Sequence, residues 1–390
     1  MKILFANHTS EVSGGERSLL DLLGALPDDV ETYAACPPGP LAFTLTSRGI
    51  PVVGLNGTSG SLRLHPSHTA RGIADVTRDG IAIARHAHRL GVDVVHANSI
   101  RAGLSAALAR CLGSPSTVVH VRDVLPDGAM PSASLRAIGL GAGVLVANSA
   151  YTAARVRRAG VQAPLEVVHS PVDLDRFDPS SVDRGTARSS LGLADDIPTL
   201  SLIAQITPWK GQAEAIRILA RLREGDTPAR LLLVGSTKFV DAATRYDNLA
   251  YVRQMRSLAS ELGVADLVRF LGEREDIPQI LAATELLLAP SWEEPFGRAV
   301  AEAMAMGVPV AATSHGGPAE MIVDGVTGIL LPPGDIERWA ERTGELLTSP
   351  ESRAEIGRRA CRHAQDQFGC DRHAEAMLRI YGALIDRHDR

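Results

Sequence analysis

The stretch SWEEPFGRAVAEAMAMGVPVAAT, Ser291 to Thr313, decides the fold of this chain. Before it runs ELLLAPS, an apolar segment of strand length that begins at Glu285. Gly297 opens a helical pattern that Gly307 can close as a C-cap, and VPVAAT then reads as a second strand. Strand, loop, helix and strand in this order are the unit from which parallel sheets are built. The layout places Glu294 just outside a helix start and Glu302 two turns inside it, eight residues apart. A helix start presents unsatisfied N–H groups and a partial positive charge, so a phosphate and a polyhydroxyl ligand can both be held there. Glu294 can accept hydrogen bonds from sugar hydroxyls and Glu302 from a ribose diol. The spacing alone leaves open that Glu302 is an ordinary polar helix residue.

Working outward, the same alternation fills the chain twice. KILFANH, VETYAAC, IPVVGL, DVVHANS, STVVHV, VLVANS and LEVVHS read as strands in the first half, and TLSLIAQI, RLLLVGS, LVRFLG, ELLLAPS, VPVAAT and GILLP in the second. Pro, Asp, Ser and Gly cluster between Pro171 and Pro198, which marks a hinge. The reading is therefore an α/β chain of two Rossmann-like, doubly wound parallel-sheet domains: residues 1–180 and residues 181–369. A C-terminal helix over 370–390 crosses back to the first domain. Two such domains facing each other leave a cleft at the C-terminal ends of their strands, where ligands of these folds bind. A length of 390 residues suits two cores better than one.

Composition excludes several classes. The chain is 45% hydrophobic and 22% charged, as in ordinary globular proteins, with a formal net charge of −5 that does not recruit nucleic acid. Aromatic residues make up only 4%, too few for a stacking platform on single strands. Cys36, Cys111, Cys361 and Cys370 form no C-x-x-C pair, so neither a zinc knuckle nor a disulfide framework is indicated and a reduced, cytoplasmic setting is expected. The apolar run at the N-terminus is too short for a signal peptide, and no run is long enough to span a membrane. The segment from Arg63 to Arg89 sets arginines and histidines around apolar positions, which fits a solvated helix face or peripheral contact with the inner face of a membrane.

Chemistry-bearing motifs follow the strand ends. After the first strand, Gly14 and Gly15 precede Glu16, Arg17 and an apolar helix, and a glycine pair there lets backbone N–H groups approach a phosphate or sugar. A tight turn would need the same glycines. The chain holds neither G-x-G-x-x-G nor G-x-x-x-x-G-K-[ST], which removes dehydrogenase and P-loop readings. In AQITPWKGQAEAI, Lys210 and Gly211 stand at a strand-to-helix turn; the helix dipole disfavours a cation there, so Lys210, one of three lysines, reads as a diphosphate ligand. Gln205 precedes the turn and offers a neutral hydrogen bond. His120 ends STVVHV and is followed by Arg122 and Asp123; among twelve histidines it is read as facing the cleft, alongside the reading of a satisfied core histidine.

Together, GGER, HVRD, PWKG, EEPFGRAVAE and HGGPAEMI resemble glycosyltransferase family 4 over nearly the whole chain. The resemblance implies the GT-B fold and a retaining, metal-independent transfer of a hexose-type sugar from a nucleoside-diphosphate sugar, UDP first and GDP second, to a hydroxyl acceptor. It further implies that Glu294 meets the donor-sugar hydroxyls and Glu302 the ribose. The backbone of Phe296, Gly297 and Arg298 would contact sugar or phosphate, Lys210 would bind the diphosphate, and Gly15 would approach it from the other domain. His120 matches the family's histidine near the donor sugar, which makes Glu294, His120 and Lys210 the catalytic set. No metal or other cofactor is expected. Gln205 departs from the pattern, since the family often carries arginine there; Arg298 or Arg17 can supply the second cation.

Rival readings attach to the same cleft. Asp173 and Asp175 form a D-x-D that can ligate Mn²⁺ in the other common glycosyltransferase fold, although turn and cap roles suffice for both. A sugar-nucleotide epimerase, a sugar phosphorylase and a silent sugar-binding protein would use the same donor residues. The acceptor has no sharp motif; Arg63 to Arg71 and the loop from Arg122 through Asp123 to Pro131 are its candidate contacts.

Overall fold

The computed structural model describes residues 1–58, 66–193, 197–238 and 246–388. Its strands, in chain order, are β1 (Lys2–Ala6), β2 (Glu31–Cys36), β3 (Val52–Gly54), β4 (Val94–Ala97), β5 (Ser116–Val121), β6 (Val144–Ala147) and β7 (Leu165–Val167), followed by β8 (Thr199–Ile203), β9 (Arg230–Val234), β10 (Val268–Gly272), β11 (Leu286–Ala289), β12 (Val310–Thr313) and β13 (Ile329–Leu331). The first seven form one sheet in the order β3-β2-β1-β4-β5-β6-β7, and the last six another in the order β10-β9-β8-β11-β12-β13. Every pairing within both sheets is parallel. In each sheet the order reverses beside the first strand, the doubly wound arrangement.

Both faces of the first sheet are covered, which is why its strands read as continuous apolar runs. Leu4, Ala6, Val95, Val119, Val121 and Leu145 point to one face and pack with Ile83, Ile100 and Ile138 from the helices Pro66–Leu90, Ile100–Cys111 and Ala129–Gly141. Ile3, Phe5, Val94, Val118, Val144 and Val146 point to the other face, against Leu19 and Leu22 of the helix Gly14–Ala25. Ala374, Met377, Tyr381 and Leu384 of the C-terminal helix Cys370–His388 complete that second core. The second sheet is sandwiched in the same way, by Ile216, Leu219, Met255 and Trp339 on one side and by Val300, Met304, Ala360 and Phe368 on the other.

The chain divides into two compact units, Met1–Pro171 with Cys370–Arg390, and Val172–Gly369. The C-terminal helix thus belongs with the first sheet. The turn-rich residues 172–180, placed with the first domain by sequence, pack with the second. Val172 and Phe177 are buried in its core, and the Val172 N–H donates to the Phe368 carbonyl at 2.7 Å. Their Pro and Asp neighbours read as linker, whereas two buried apolar side chains decide the placement. Asp173 caps this turn, its carboxylate accepting from the Arg176 N–H at 3.0 Å.

A row of imidazoles lies in the core that the C-terminal helix completes. His96 and His120, from neighbouring strands, have ring centroids 5.6 Å apart, and His120 stacks on His373 of the C-terminal helix at 6.0 Å. His96 Nδ1 is 2.6 Å from the Tyr381 hydroxyl. Loss of water, with the Arg122 guanidinium second, holds the pKa of both His96 and His120 well below the ordinary histidine range. Unfolded, both rings titrate near pH 6.5. Below that pH the unfolded chain therefore binds protons that the folded chain refuses, and stability present above pH 6.5 is lost as pH falls. Each ring contributes a slope of about 1.4 kcal/mol per pH unit. The urea midpoint of the full chain is expected to drop markedly between pH 7 and pH 5.5; a flat midpoint over that interval would show that the folded rings accept protons freely.

Candidate active site

The second unit gathers its chemistry where β8 and β11, adjacent in the sheet, both end. After β8 the chain passes Gln205 and makes a single 3₁₀ turn, Pro208–Lys210, before Gly211 begins the helix Gln212–Glu224. Gly211 has φ +79°, and a Cβ there would stand 2.2 Å from the Pro290 carbonyl oxygen. Only glycine fits that approach. The Trp292 N–H donates to the Trp209 carbonyl at 2.9 Å, joining the two loops backbone to backbone.

This junction sets Lys210 against Glu294: Nζ lies 2.6 Å from Oε2, with both side chains mostly buried. Ser291 Oγ donates to the same carboxylate oxygen at 3.2 Å, and the ammonium sits 4.1 Å above the Trp209 ring. A third loop, after β12, closes on Glu294 from the far side. The Gly317 N–H donates to the Glu294 carbonyl at 2.7 Å, and Gly316, at φ +94°, pairs alongside it where a Cβ would meet that carbonyl at 2.2 Å. Glu294 is therefore fixed through its backbone by glycines and through its carboxylate by a lysine and a serine.

Gly297, at φ +98°, caps the helix Arg298–Ala305. Glu302 is the fifth residue of that helix, a little over one turn inside it rather than two. Arg298 reaches it one turn later, with NH2 to Oε1 at 3.0 Å. The Phe296 side chain is buried edge-on against Phe368, so only its backbone is available to a ligand. Gln205 is engaged as well: its Nε2 donates to the Lys238 carbonyl at 3.3 Å, and its own carbonyl accepts from Gln212 Nε2 at 2.9 Å. Gln205, Lys210, Glu294, Phe296 and Gly297 thus belong to loops that meet at one edge of one sheet, and Arg298 and Glu302 to the start of the helix that leaves it. The carboxylates are held by cations, an arrangement that can exchange partners with a ligand carrying anionic and hydroxyl groups together.

The first unit holds a separate set. Ser13 caps the helix at Gly14 and Gly15, and its N–H donates to the buried Glu16 carboxylate at 3.1 Å. From Glu16 a chain of buried side chains runs inward: Asn7 Nδ2 donates to Glu16 Oε1 at 3.2 Å, Asn98 Nδ2 to Asn7 Oδ1 at 3.0 Å, and Arg122 Nε and NH2 to Asn98 Oδ1 at 3.2 and 3.1 Å. Arg122 lies beside the glycine turn, its Cδ 3.3 Å from where a Gly15 side chain would begin. His8, half-buried at the end of β1, meets Ser99 Oγ at 2.8 Å; loss of water, with Arg101 adding, pushes its pKa down to about 3.

His120 is not presented at a surface. It is 0% exposed, on the face of β5 that Val118 shares, and its Nδ1 accepts from Arg122 NH2 at 3.1 Å. That bond puts the ring proton on Nε2, which is buried. A ring so enclosed has no path to a sugar hydroxyl, and its observed work is to hold Arg122. The expectation of a sugar-facing His120 is corrected accordingly. Asp123 lines a depression at the end of β5 together with Leu125, Pro131, Thr152 and Arg155, and Arg155 pairs with Asp127 at 3.0 Å. Arg63 lies outside the described residues. Among the described residues no group of three or more His, Cys, Asp or Glu side chains could hold a metal ion.

Sequence reasoning passed over Ser291, Trp209 and Arg155 as site residues, and over the Asn7–Asn98 relay. Gly316 and Gly317 were visible in HGGPAEMI, though the need for glycine emerges only from their approach to Glu294 and Phe296.

Comparison with known proteins identifies the family and the fold. The model of the family described as Glycosyltransferase Family 4 matches residues 12–176, and that of Glycosyl transferases group 1 matches residues 183–363. The chain is 33% identical over 324 residues to a D-inositol 3-phosphate glycosyltransferase of Actinosynnema mirum, covering 79% of this chain and 76% of that one. The enzyme of the same name from Streptomyces avermitilis is 32% identical over 329 residues, covering 80% and 71%. Among solved structures, Anabaena HepE in complex with UDP and glucose superposes with a TM-score of 0.84 at 26% identity, covering 98% of this chain and 99% of that one. The sucrose-phosphate synthase of Thermosynechococcus elongatus shares the fold, with a TM-score of 0.81 at 20% identity over 99% and 100% of the two chains. Both domain models, relatives that match most of the chain and the doubled parallel sheet converge: the chain belongs to glycosyltransferase family 4 and is an enzyme of GT-B fold.

Proposed function

We propose that the protein transfers a hexose-type sugar from UDP-sugar to a hydroxyl acceptor, with retention of configuration and without a metal ion. The observation that carries this reading is the pair of buried cation–carboxylate contacts, Lys210–Glu294 and Arg298–Glu302, beside one helix start. A nucleoside-diphosphate sugar offers what both pairs require at once. Its diphosphate takes the ammonium and the guanidinium, and its sugar and ribose hydroxyls donate to the carboxylates released. Arg298 then provides the second cation that Gln205 does not. The Anabaena HepE structures that superpose on this chain hold UDP and UDP-glucose, which supports UDP as the nucleotide.

Retention follows when the departing diphosphate guides the acceptor to the face it leaves. The bond from the anomeric carbon to the diphosphate oxygen breaks, the acceptor oxygen bonds to that carbon, and the acceptor proton passes to the diphosphate. Lys210, Arg298 and the N–H groups at the start of the helix Arg298–Ala305 offset the charge that grows on the leaving group, and Glu294 orients the sugar. Two cations and a helix start supply the electrostatic work for which many transferases recruit a divalent metal. The curated relatives are named for D-inositol 3-phosphate, so a phosphorylated polyol is the first acceptor to try. Arg155 and the Asp123 depression belong to the unit that would receive it.

Calorimetric titration is expected to show UDP binding that survives EDTA and exceeds GDP binding. Lys210→Ala should weaken it roughly 10- to 100-fold, the worth of a charged hydrogen bond. Binding abolished by EDTA would sink the metal-free reading, and preference for GDP would overturn the nucleotide.

Turnover offers a separate check. With saturating UDP-sugar and an accepted polyol, Glu294→Gln should lower kcat about 10²- to 10³-fold while leaving the unfolding midpoint within a few degrees of wild type. Proton NMR of the product should show the anomeric configuration of the donor. An inverted product would rule out the guided-leaving-group route.

A further inference from the structure

The chain has three tryptophans, and ordinary structural work accounts for two of them. Trp339 is buried in a core of the second sheet, and its indole N–H donates to the Pro332 carbonyl at 2.8 Å. Trp292 donates its indole N–H to Glu214 Oε1 at 3.2 Å. Trp209 does neither. It is half-buried, it belongs to none of the apolar cores, and among the described residues its N–H meets no acceptor. An indole placed this way is explained neither by core burial nor by the hydrogen bond that a buried tryptophan usually makes. Its ring faces the Lys210 ammonium, 4.1 Å from the centroid.

The turn that carries both residues is fixed from two sides. The Trp209 carbonyl accepts from the Trp292 N–H at 2.9 Å, and the Lys210 N–H donates to the Thr207 carbonyl at 3.0 Å. Gly211 follows, held against the Pro290 carbonyl with no room for a Cβ. The indole is therefore presented from a pinned backbone, whereas the lysine ends a flexible four-carbon stem. Among the described residues only Glu294 Oε2 accepts from the ammonium, which leaves two of its three N–H donors for a ligand.

We propose that Trp209 is a positioning residue for the transfer: its ring holds the Lys210 ammonium in place while Glu294 changes partner. This role rests on the donor reading given above. When sugar hydroxyls take the Glu294 carboxylate, the ammonium loses its acceptor on the protein, and its stem is free to leave the site. A second carboxylate would restrain it but would also repel the diphosphate. An indole face attracts the cation through its quadrupole, carries no net charge, and offers no lone pair to compete with phosphate oxygens for the N–H donors. The cation is thereby kept where charge grows on the leaving group, and such fixed placement is what electrostatic stabilisation requires.

Two measurements test this role, and the first needs no ligand. With lysine isotope-labelled at Cε, the full chain gives three correlations, from Lys2, Lys210 and Lys238, and Lys210→Ala identifies the middle residue's signal. The Lys210 methylene protons should resonate upfield of the ordinary lysine position, because the ammonium they adjoin lies over an aromatic face, and should return to it in Trp209→Leu. The second is UDP titration. Trp209→Leu should weaken binding roughly threefold to tenfold, and Trp209→Phe should recover most of that loss because it keeps a ring face. In a Lys210→Ala background, Trp209→Leu should have no further effect, which separates action through the lysine from a contribution of the indole's own. Unshifted Lys210 protons in wild type, or a shift that survives Trp209→Leu, would overturn the proposal. Equal losses from Trp209→Leu with and without Lys210 would overturn it while leaving the donor reading intact. A wild type that binds no UDP would sink the donor reading and this role together.

Discussion

Parallel pairing is the constraint on which the rest of this molecule depends. A strand that runs parallel to its neighbour must be reached by a crossover, so each strand is followed by a loop at the same edge of the sheet and each helix returns across a face. Both faces are then covered and the strands become mostly apolar, as Ile3–Ala6 and Leu286–Leu288 show. Solvent-facing polar chemistry is left mainly to the strand ends. Lys210, Glu294 and Gly316 follow β8, β11 and β12, three strands that are neighbours in space and far apart in sequence.

Within that edge the backbone, rather than the side chains, sets distances. Gly211 touches the Pro290 carbonyl, Gly316 the Glu294 carbonyl and Gly317 the Phe296 backbone, each too closely for a Cβ. Three loops thereby become one rigid block. A lysine beside a carboxylate on such a block does not need to search for its geometry, and rigid placement is what electrostatic catalysis requires. The Glu16–Asn7–Asn98–Arg122 chain does comparable work in the first unit, where it carries a buried guanidinium through neutral amides.

The fold was legible because a strand buried on both faces reads as an unbroken apolar run, and such runs alternated with amphipathic stretches. The same property hid the orientation of His120. In STVVHV each face carries a polar residue and a valine, so alternation carried no signal, and only the packing of His373 against the ring shows that it points inward. Lys210 was legible because a lysine at a helix start runs against local stability, and Glu294 because it stands eight residues before Glu302 across a loop-to-helix junction. Their mutual contact was not, since it joins residues 84 positions apart through a backbone approach that no local pattern encodes. Residues 172–180 misled for the opposite reason: their composition is that of a linker, yet Val172 and Phe177 are core.

The buried imidazoles tie these observations to the C-terminal helix. Ordinarily a helix is docked on a sheet by apolar contact alone, and Met377 and Leu384 provide that here. Tyr381 and His373 add polar partners inside the same core, to His96 and to the His169 carbonyl at 2.7 Å. Polar groups in a core are costly unless paired, and pairing them demands one particular position of the helix. Apolar packing would tolerate a slide along the sheet; a tyrosine hydroxyl 2.6 Å from an imidazole does not. His120 stands between His373 and Arg122, so the fixed helix, the buried ring and the guanidinium beside Gly15 form one continuous set of contacts. The position of the C-terminal helix therefore reaches the glycine turn through a histidine that is itself fully buried.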